Sequence, residues 1–494
     1  MATKRSSAFT PVITMDRSSS QPLHAQVYRA LRDAIARGGL RAGQRVPSSR
    51  AMSSELNVSR ITILGAYAQL LAEGYFETRK GAGTFVSRSL PEHLTQCRQP
   101  VTGRTQKASG PRPIAHRALL CPVEPAPPWI AGLGAFGVHQ PAFDAFPFAI
   151  WSRLVTHHSK DPNARAIHCI DPMGSRRFRE AICSYLRTAR AVQAEPEQIM
   201  IVSGSQQALQ IATSVLLDPG ASVWMEEPGY RLARNVFAAA GCRPVPVPVD
   251  GEGLNVAAGI KRCAQARAAY VTPSHQYPLG STMSAGRRLQ LLNWAQLHGA
   301  WIIEDDYDSE YRFESAPISS LQGLDTNSRV IYIGTFSKVL FASLRLGYMV
   351  IPADLVERCR AVRFTMDIFP PYLYQEVIAD FMREGHFARH IRRMRLLYSD
   401  RRKVLVEQLR KAFGNACEIH GAEAGMHLVA TFRSDHDDVA IAEKAAAQAL
   451  WLWPLSRNYA TRNVRKGFIL GYGNVATQTM PAAVEKLRSA MARS

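Results

Sequence analysis

The sequence predicts an α/β protein in which a small helical module precedes a larger domain built on a mostly parallel sheet. Three observations lead to this prediction. The first ninety residues hold three helix-like segments and then a short alternating stretch around glycines. A segment rich in Pro, Gly, Gln and Arg follows at 89–125, and from about residue 140 short apolar strands alternate with helical stretches. At 494 residues the chain is long enough for two or three domains.

These changes of pattern divide the chain into four parts. We expect an N-terminal tail at 1–14, a first domain at 15–88, a flexible basic linker at 89–125 and a large domain at 126–494. Residues 1–88 hold 13 Lys and Arg against 5 Asp and Glu, and the whole chain has a net charge of +20. This balance is typical of nucleic-acid binding, although solubility alone would also explain it.

Cysteine usage and hydropathy indicate a cytoplasmic protein. The eight cysteines are scattered, and none forms a CxxC pair or a Cys/His cluster with metal spacing. The first twenty residues contain no apolar signal region, and no apolar run of 18 residues occurs in the chain. We therefore expect reduced thiols, no export and no membrane span.

The first domain opens with a helix that follows the sequence SSSQP, in which a serine is the N-cap candidate and the proline lies in the first turn. Its apolar residues recur at steps of four, so they form one stripe: Leu23, Val27, Leu31 and Ile35. A glycine pair ends this helix.

Two further helices and a hairpin follow. A short helix covers about 49–56, and Ser59 is the N-cap candidate of a third helix. The apolar residues of that helix expected in the core are Leu64, Tyr67, Leu70 and Leu71. The stretch YFETRKGAGTFVS then alternates around two glycines, as a β-hairpin does. Together these elements predict a winged helix-turn-helix.

The groups of such a module that meet DNA lie at the start of its helices and on its wing. Recognition helices present their N-terminal residues to the major groove, and a wing reaches phosphates or the minor groove. The polar residues in these places are Arg50, Arg60, Thr62, Arg79 and Lys80. Any one arginine could be a solvated surface charge, but their joint placement favours double-stranded DNA as the partner.

Residues 15–88 resemble the GntR family of bacterial repressors and activators in LRAGQRVPSSR, LNVSRITILGAYAQLLAEGYF and GAGTFV. The residues to which this resemblance assigns DNA contacts or the shape of the wing are Arg50, Ser59, Arg60, Thr62, Gly81 and Gly83. Two departures are mild: Ile61 stands where a small hydroxyl residue is common, and Val46 stands where Leu is usual.

In the large domain, candidate strands alternate with helices, which predicts a mostly parallel, doubly wound sheet. The strands are QIMIVSG, SVWMEEP, AAYVTPS, AWIIEDD and RVIYIGTF. Ligands bind beyond the carboxyl ends of such strands, and chemically useful residues fall there one after another.

The first three strand ends supply groups for an anion and a flat ring. Ser205 and Gln206 follow the first strand at a helix N-terminus, which is a ready anion site if they do more than cap the helix. Tyr230 follows the second strand and is able to stack on a ring. His275 and Gln276 follow the third strand as hydrogen-bond partners.

The fourth strand delivers acidic residues at its tip, in WIIEDDYDSEYR. Burying a carboxylate without a partner is costly, so an acidic residue such as Asp305 needs a cationic partner, and a protonated pyridine nitrogen would be one. A Mg²⁺ site formed by Asp305, Asp306 and Asp308 is the alternative, although no phosphate-loop signature accompanies it.

Lys338 follows the fifth strand in GTFSKVLFASLRLGY, where Thr335, Ser337 and Arg345 are able to hold a phosphate beside it. A nearby arginine and an apolar wall lower the pKa of a lysine, which makes its amine reactive toward carbonyls. A lysine for a Schiff base and an aspartate for a pyridinium nitrogen are what pyridoxal phosphate requires of its protein.

About residues 125–490 resemble the fold-type I, aspartate-aminotransferase-like enzymes, which implies a smaller C-terminal α+β subdomain. The resemblance also implies that Lys338 forms an aldimine with pyridoxal phosphate and that Asp305 pairs with the pyridine nitrogen. It assigns Tyr307 to the ring hydroxyl and Tyr230 to stacking on the ring. The phosphate ligands that it implies are Ser205, Gln206, Thr335 and Arg345.

The same resemblance assigns the substrate carboxylate and exposes one departure. Arg465, in TRNVRKGFILGYG, matches the arginine that binds this group. These enzymes often have Asn before the proline of NPxG, whereas Tyr277 precedes Pro278 here. The partner of the ring hydroxyl on that side is therefore open, with His275 or Gln276 as substitutes.

The two halves together resemble the MocR subfamily of bacterial regulators over nearly the whole chain. This implies a homodimer, typically head-to-tail, that binds promoter DNA and senses an amino compound through Lys338. A GABA-like amino acid, taurine, another amine and the cofactor itself are all compatible effectors. Two alternatives remain: a working aminotransferase with an appended DNA-binding domain, and a repressor whose large domain only dimerises.

Overall fold

The computed structural model describes residues 13, 15–89, 112–123, 132, 134–138, 140–160, 171–313, 318–433, 436–461 and 465–492. The chain divides into two compact units, residues 1–113 and 114–494. Most of the predicted linker, 90–111 together with 124 and 125, lies outside the described residues, and the predicted tail 1–14 does so almost entirely. The linker and the exact domain bounds therefore stay predictions.

The described residues of the N-terminal unit form three helices and a two-stranded hairpin, as predicted. These elements are α1 (Leu23–Ala36), α2 (Ser49–Glu55), α3 (Arg60–Ala72), β1 (Phe76–Arg79) and β2 (Gly83–Val86). The side chain of Ser48 caps α2 and that of Ser59 caps α3, whereas α1 has Pro22 at its N-cap and no side-chain cap. The expected serine cap of α1 is thus absent. The two strands pair antiparallel, with Gly81 in the turn at a φ of +75°.

The core of this unit corrects one detail of the prediction for α3. Ile63, Ala66, Tyr67 and Leu70 are buried, but Leu64 is exposed. Successive residues of a helix are turned by about 100°, so the residue after Ile63 lies off the stripe that faces α1. Leu64 is therefore wrong as a core residue.

The large unit contains an eight-stranded sheet with helices on both faces. Its strands are β3 (Ile199–Val202), β4 (Ser222–Glu227), β5 (Arg243–Asp250), β6 (Gly253–Leu254), β7 (Ala268–Val271), β8 (Trp301–Asp306), β9 (Val330–Thr335) and β10 (Gly347–Val350). The spatial order is β3-β10-β9-β8-β7-β4-β5-β6. Neighbours from β9 to β5 are parallel, β10 is antiparallel to β3 and β9, and β6 is antiparallel to β5.

The helices of this unit cover both faces and the ends of the sheet. They are α4 (His116–Leu119), α5 (Phe148–Ser159), α6 (Arg176–Arg190), α7 (Ser205–Leu216), α8 (Arg231–Ala239), α9 (Val256–Cys263), α10 (Ala285–His298), α11 (Leu321–Leu324), α12 (Val356–Asp367), α13 (Leu373–Arg383) and α14 (His386–Phe413). Along β3, Ile199 and Ile201 pack in one apolar cluster, and Met200 and Val202 pack in another. This alternation confirms a doubly wound sheet that is buried on both faces.

A smaller antiparallel sheet follows α14, as the predicted C-terminal subdomain requires. It consists of β11 (Cys417–His420), β12 (His427–Phe432), β13 (Trp453–Pro454) and β14 (Gly467–Gly471), in the order β11-β12-β14-β13. Helices α15 (Asp438–Ala446) and α16 (Met480–Ala492) complete it. Within the described ranges, no helix combines the length and apolar character needed to cross a bilayer.

Candidate cofactor-binding site

A cavity of about 560 Å³ lies at the carboxyl ends of the central strands. Of the residues predicted for the cofactor, those that line it are Ser205, Gln206, Tyr230, Asp305, Tyr307, Thr335, Ser337, Lys338 and Arg345. They come from the ends of β3, β4, β8 and β9 and from the start of β10. Because β10 is antiparallel to its neighbours, its first residues share an edge with the last residues of β3 and β9.

The two carboxylate oxygens of Asp305 differ in their hydrogen bonding. The hydroxyl of Tyr270 on β7 donates to Asp305 Oδ2 at 2.7 Å. Asp305 Oδ1 is buried and has no hydrogen-bond partner in the described part of the chain. Burial raises the pKa of this carboxyl to about 6. A cationic N–H donor in the cavity would complete its hydrogen bonds, which is what a protonated pyridine nitrogen offers.

Asp306 faces the opposite side of β8. Its Oδ2 accepts hydrogen bonds from Arg190 Nε at 2.7 Å and from the Tyr332 hydroxyl at 2.5 Å. Asp305 and Asp306 alternate across the strand, so their carboxylates point apart. The alternative Mg²⁺ site, which needed both together with Asp308, does not fit this geometry.

Lys338 lies in the cavity wall just after β9. Burial lowers the pKa of its amine to about 8, while the carboxylates of Asp308 and Asp305 act in the opposite direction. An amine with this pKa is neutral in an appreciable fraction of molecules near pH 7. This lowered pKa agrees with the predicted reactivity of Lys338 toward carbonyls, which stays a prediction.

An anion cradle lies at the N-terminus of α7. Gly204 precedes this helix with a φ of +100°, and a Cβ built there would lie 3.1 Å from Arg345 Nη2. Arg345 Nη2 also donates to the Ser203 carbonyl at 2.7 Å, which fixes the guanidinium beside the helix start. The buried Gln206 Nε2 has no partner among the described residues. Free N–H groups, a helix N-terminus and a guanidinium together suit a phosphate.

Thr335 and Ser337 flank the cradle and form a tight turn. The Ser337 N–H donates to Thr335 Oγ1 at 3.2 Å, and both residues line the cavity. Both residues thus line the cavity close in sequence to Lys338.

Three tyrosines, Tyr230, Tyr277 and Tyr307, lie together on one wall of the cavity. Tyr277 meets Tyr230 edge-on, with ring centroids 5.5 Å apart, and also meets Tyr307 edge-on at 6.1 Å. The Tyr307 hydroxyl donates to the His275 carbonyl at 2.8 Å. Tyr277 itself, the residue that replaces the usual Asn, stands on the cavity wall.

His275 and Gln276 lie behind this wall rather than on it. His275 is buried, and its Nδ1 lies 3.1 Å from Asp308 Oδ2. The Gln276 amide donates to the Pro228 carbonyl at 2.9 Å. Neither residue lines the cavity, so a direct hydrogen bond to the ring hydroxyl is not what their geometry favours.

Sequence reasoning missed Arg231, which lines the cavity immediately after Tyr230. Burial, and then the charge of Arg457, lower the pKa of its guanidinium. Arg465, the predicted carboxylate ligand, is exposed and is not among the lining residues. The signal for Arg231 was available, since it directly follows a residue already placed at a strand end.

The outer part of the cavity is largely apolar and was not foreseen either. Its residues include Phe143, Leu232, Met426, Trp451 and Trp453. Apart from Leu232, which follows Tyr230 by two residues, these residues lie far in sequence from the predicted strand ends, and the tryptophans come from the C-terminal subdomain. The cavity wall therefore carries the cationic Arg231 and several aromatic side chains in addition to the predicted cofactor ligands.

The predicted DNA contacts are exposed on the N-terminal unit. Arg50 lies in the first turn of α2, and Arg60 begins α3, where its Nε donates to Ser49 Oγ at 3.3 Å. Ser59 accepts a hydrogen bond from the Thr62 N–H at 3.2 Å, so its hydroxyl serves as the helix cap.

The wing residues lie at and near the turn of the hairpin. Arg79 pairs with Glu77 at 2.6 Å and lies over the ring of Phe85, while Lys80 is exposed. Gly81 and Gly83 both have positive φ, at +75° and +107°, as the tight turn requires.

Comparison with known proteins agrees with both units. Residues 23–86 match the family model for bacterial regulatory proteins of the gntR family, and residues 158–472 match that for aminotransferase class I and II. The chain is therefore a GntR-type regulator that carries an aminotransferase-like domain.

Relatives match over nearly the full length. The probable rhizopine catabolism regulatory protein MocR of Rhizobium meliloti is 40% identical over 97% of this chain and 96% of its own. The transcriptional regulator TauR of Rhodobacter capsulatus is 30% identical over 95% and 96%. This chain belongs to the MocR subfamily of GntR-type transcriptional regulators.

Solved structures support the fold of the large unit. The crystal structure of an archaeal alanine:glyoxylate aminotransferase superimposes with a TM-score of 0.71, covering 77% of this chain and 98% of that chain at 23% identity. At this identity the likeness concerns the fold alone. The aminotransferase class I and II fold is one that depends on pyridoxal phosphate.

Proposed function

We propose that this regulator binds pyridoxal phosphate in its cavity and uses Lys338 to detect an amino compound. Binding of that compound then changes the affinity of the protein for promoter DNA. The observation that carries the proposal is the buried Oδ1 of Asp305, which has no hydrogen-bond partner among the described residues, in a side chain that lines the same cavity as Lys338 and the anion cradle. A ring with a cationic nitrogen, a reactive carbonyl and a phosphate satisfies all three features at once.

Each residue has a defined task in this proposal. Pyridoxal phosphate, when bound, supplies an aldehyde that exchanges between a lysine amine and an amino compound. Arg345 and the N-terminus of α7 hold the phosphate, and Asp305 keeps a proton on the ring nitrogen. Tyr230 covers the ring, and Tyr307 and Tyr277 line the side of its hydroxyl. Lys338 would be the amine that holds the aldehyde of the cofactor and that an amino compound would replace.

The effector carries an anionic group in this proposal. Arg231 lies on the cavity wall, and Arg465 follows β13 as a second candidate for the same group. Competition of amino compounds for the bound cofactor, compared between Arg231→Gln and Arg465→Gln, identifies which arginine holds the acid.

DNA control requires that two arrangements of the protein differ in effector affinity. We infer a homodimer, head-to-tail as in the subfamily, in which two winged helices span two half-sites. Effector binding shifts the dimer toward one arrangement and so changes the fit to the half-sites.

Lys338→Ala tests the proposal directly. The variant should lose the visible absorption band of the lysine-bound cofactor and the effect of amino compounds on DNA binding, because no amine remains to be displaced. Its affinity for DNA without effector should stay within about twofold, since the winged helix is a separate compact unit. Absorption spectra and fluorescence anisotropy on a labelled promoter duplex measure both results.

Lys261→Ala, an exposed lysine on α9, is the matched control and should change neither measurement. Effector control that survives in Lys338→Ala would refute the sensing role. Multiple turnovers of an amino donor and a keto acid by the wild type would instead favour a working aminotransferase, for which the lysine and aspartate are both in place.

A further inference from the structure

Helix α3 exposes apolar side chains where a solvated helix carries polar ones. It contains a single charged residue, Arg60, among 13 residues. Ile61 is 80% exposed and Leu64 is 45% exposed, and Gly65 and Ala68 continue the same exposed side. These four positions follow the spacing of one helical face, and the buried residues of α3 follow the same spacing on another. The helix is therefore apolar on two sides, and the chain itself covers only one.

An exposed hydrophobic residue is ordinary when it stands alone. Here the exposed apolar residues form a stripe, and the stripe begins at the N-terminus of the helix, where recognition helices meet base edges. The apolar group that the major groove offers is the 5-methyl group of thymine.

The charges around the stripe decide between DNA and a second copy of the chain. Arg50, Arg60, Arg79 and Lys80 are exposed at the starts of α2 and α3 and on the wing. A surface of this sign attracts a polyanion and repels another copy of itself. Double-stranded DNA is therefore the occupant that the charges favour.

Ile61 is the residue of the stripe best placed to read a base. It is the second residue of α3, between Arg60, whose Nε is held by Ser49 Oγ at 3.3 Å, and Thr62, whose N–H is capped by Ser59 at 3.2 Å. Its neighbours are thus fixed, and its β-branched side chain has few rotamers in a helix. Little conformational entropy is lost when it packs against a partner.

We propose that Ile61 reads the 5-methyl group of a thymine in the major groove, so that each half-site of the operator carries a thymine at the position facing Ile61. Leu64 extends the same apolar contact. The inference rests on the DNA binding of the winged helix and adds a sequence preference to it.

The test uses the full chain and a DNA duplex that it selects. Duplexes retained from a pool with a randomised central segment define the preferred sequence, and each thymidine is then replaced singly by deoxyuridine, which removes only the methyl group. One position in each half-site should cost about fourfold in affinity, the worth of one buried methyl, and other positions should cost little. Fluorescence anisotropy gives the dissociation constants.

Ile61→Ala should bind the thymidine duplex as weakly as the wild type binds the deoxyuridine duplex, and it should no longer distinguish the two. Leu297→Ala, which truncates an 82%-exposed leucine on α10, is the matched control and should keep the discrimination. The deoxyuridine scan on the wild type needs no variant, so a folding defect of Ile61→Ala would not hide the result.

If no replacement of a thymidine by deoxyuridine changes the affinity of the wild type for the selected duplexes, the contact between Ile61 and a thymine methyl group is refuted. DNA binding by the winged helix would still stand. Discrimination that persists in Ile61→Ala would refute the contact too. A pool from which no duplex is retained would instead overturn DNA binding itself, so the two failures are distinguishable.

Discussion

The two units of this protein place their functional side chains in opposite ways. On α3 they lie on an outer surface, and the phase of a single helix decides which ones project. In the cavity they come from Ser205, Asp305 and Lys338, which are far apart in sequence and meet only because parallel strands end at one edge. Substitutions on the exposed side of α3 should therefore alter DNA binding with little effect on folding. Substitutions in the cavity should alter cofactor binding and stability together.

Gly204→Ala should have the largest effect. Its Cβ would lie 3.1 Å from Arg345 Nη2, at a φ of +100° that alanine rarely adopts. We expect the affinity for pyridoxal phosphate to fall about 100-fold or more, because the charge-assisted contact with the phosphate is displaced. Titration followed by cofactor absorption measures this.

Gly220→Ala is the matched control, since its φ is +89° and nothing lies within 4 Å of the added Cβ. It also requires a positive φ, but it lacks the crowding. Equal cofactor affinity in the two variants would show that the cradle is not the phosphate site.

Asp305→Asn should have the next largest effect, on stability without cofactor. Burial raises the pKa of Asp305 from 3.8 to about 6. Between these values the folded chain binds more protons here than the unfolded chain, so stability from this group falls as pH rises through about 4 to 6. Removing the carboxylate should therefore raise the free energy of unfolding by about 2 kcal/mol more at pH 8 than at pH 4.

Urea unfolding of the cofactor-free protein at the two pH values measures the difference. Asp306→Asn is the contrast, because it weakens the ion pair with Arg190 at 2.7 Å and should be less stable than the wild type at pH 8. A gain for Asp305→Asn that is equal at pH 4 and pH 8 would contradict the assigned titration.

Arg60→Ala should have a smaller effect, confined to DNA. We expect about a tenfold loss of affinity at low salt, and a slope of log affinity against log salt that is shallower by roughly one unit. Thermal unfolding should hardly change, because Arg60 is exposed.

Arg37→Ala removes an exposed charge at the end of α1 and serves as the control. The same loss and the same change of slope in both variants would mean that only total charge matters. The position of Arg60 on α3 would then not matter for DNA binding.

Much of the cavity was predictable because its residues follow a rule of the fold. Ligand groups of a doubly wound sheet lie after its strands, so Ser205, Tyr230, Asp305 and Lys338 could be assigned from apolar runs and the residues that end them. The helices of the N-terminal unit were predictable for a similar reason, since caps and glycines mark their ends.

The rest depended on contacts between distant segments. Strand β5 was not predicted, because it contains Pro244, Pro246 and Pro248, and proline in a sequence argues against a strand. In the structure this segment nevertheless pairs with β4. His275 follows a strand but lies behind the wall, since Asp308 and Tyr307 hold it there. Leu64 was assigned to the core because two apolar stripes run along one helix, and sequence alone does not say which of them has a partner.

The apolar stripe of α3 has a consequence for how the regulator behaves when the ion concentration of the cell changes. Contacts from arginine and lysine to phosphates weaken as the salt concentration rises. Binding releases counterions from the DNA, and this release gains less entropy when the surrounding solution already contains more salt. A contact between Ile61 and a methyl group carries no charge and is hardly screened. Under osmotic stress the protein would occupy all of its sites less, yet it would rank one promoter above another as before.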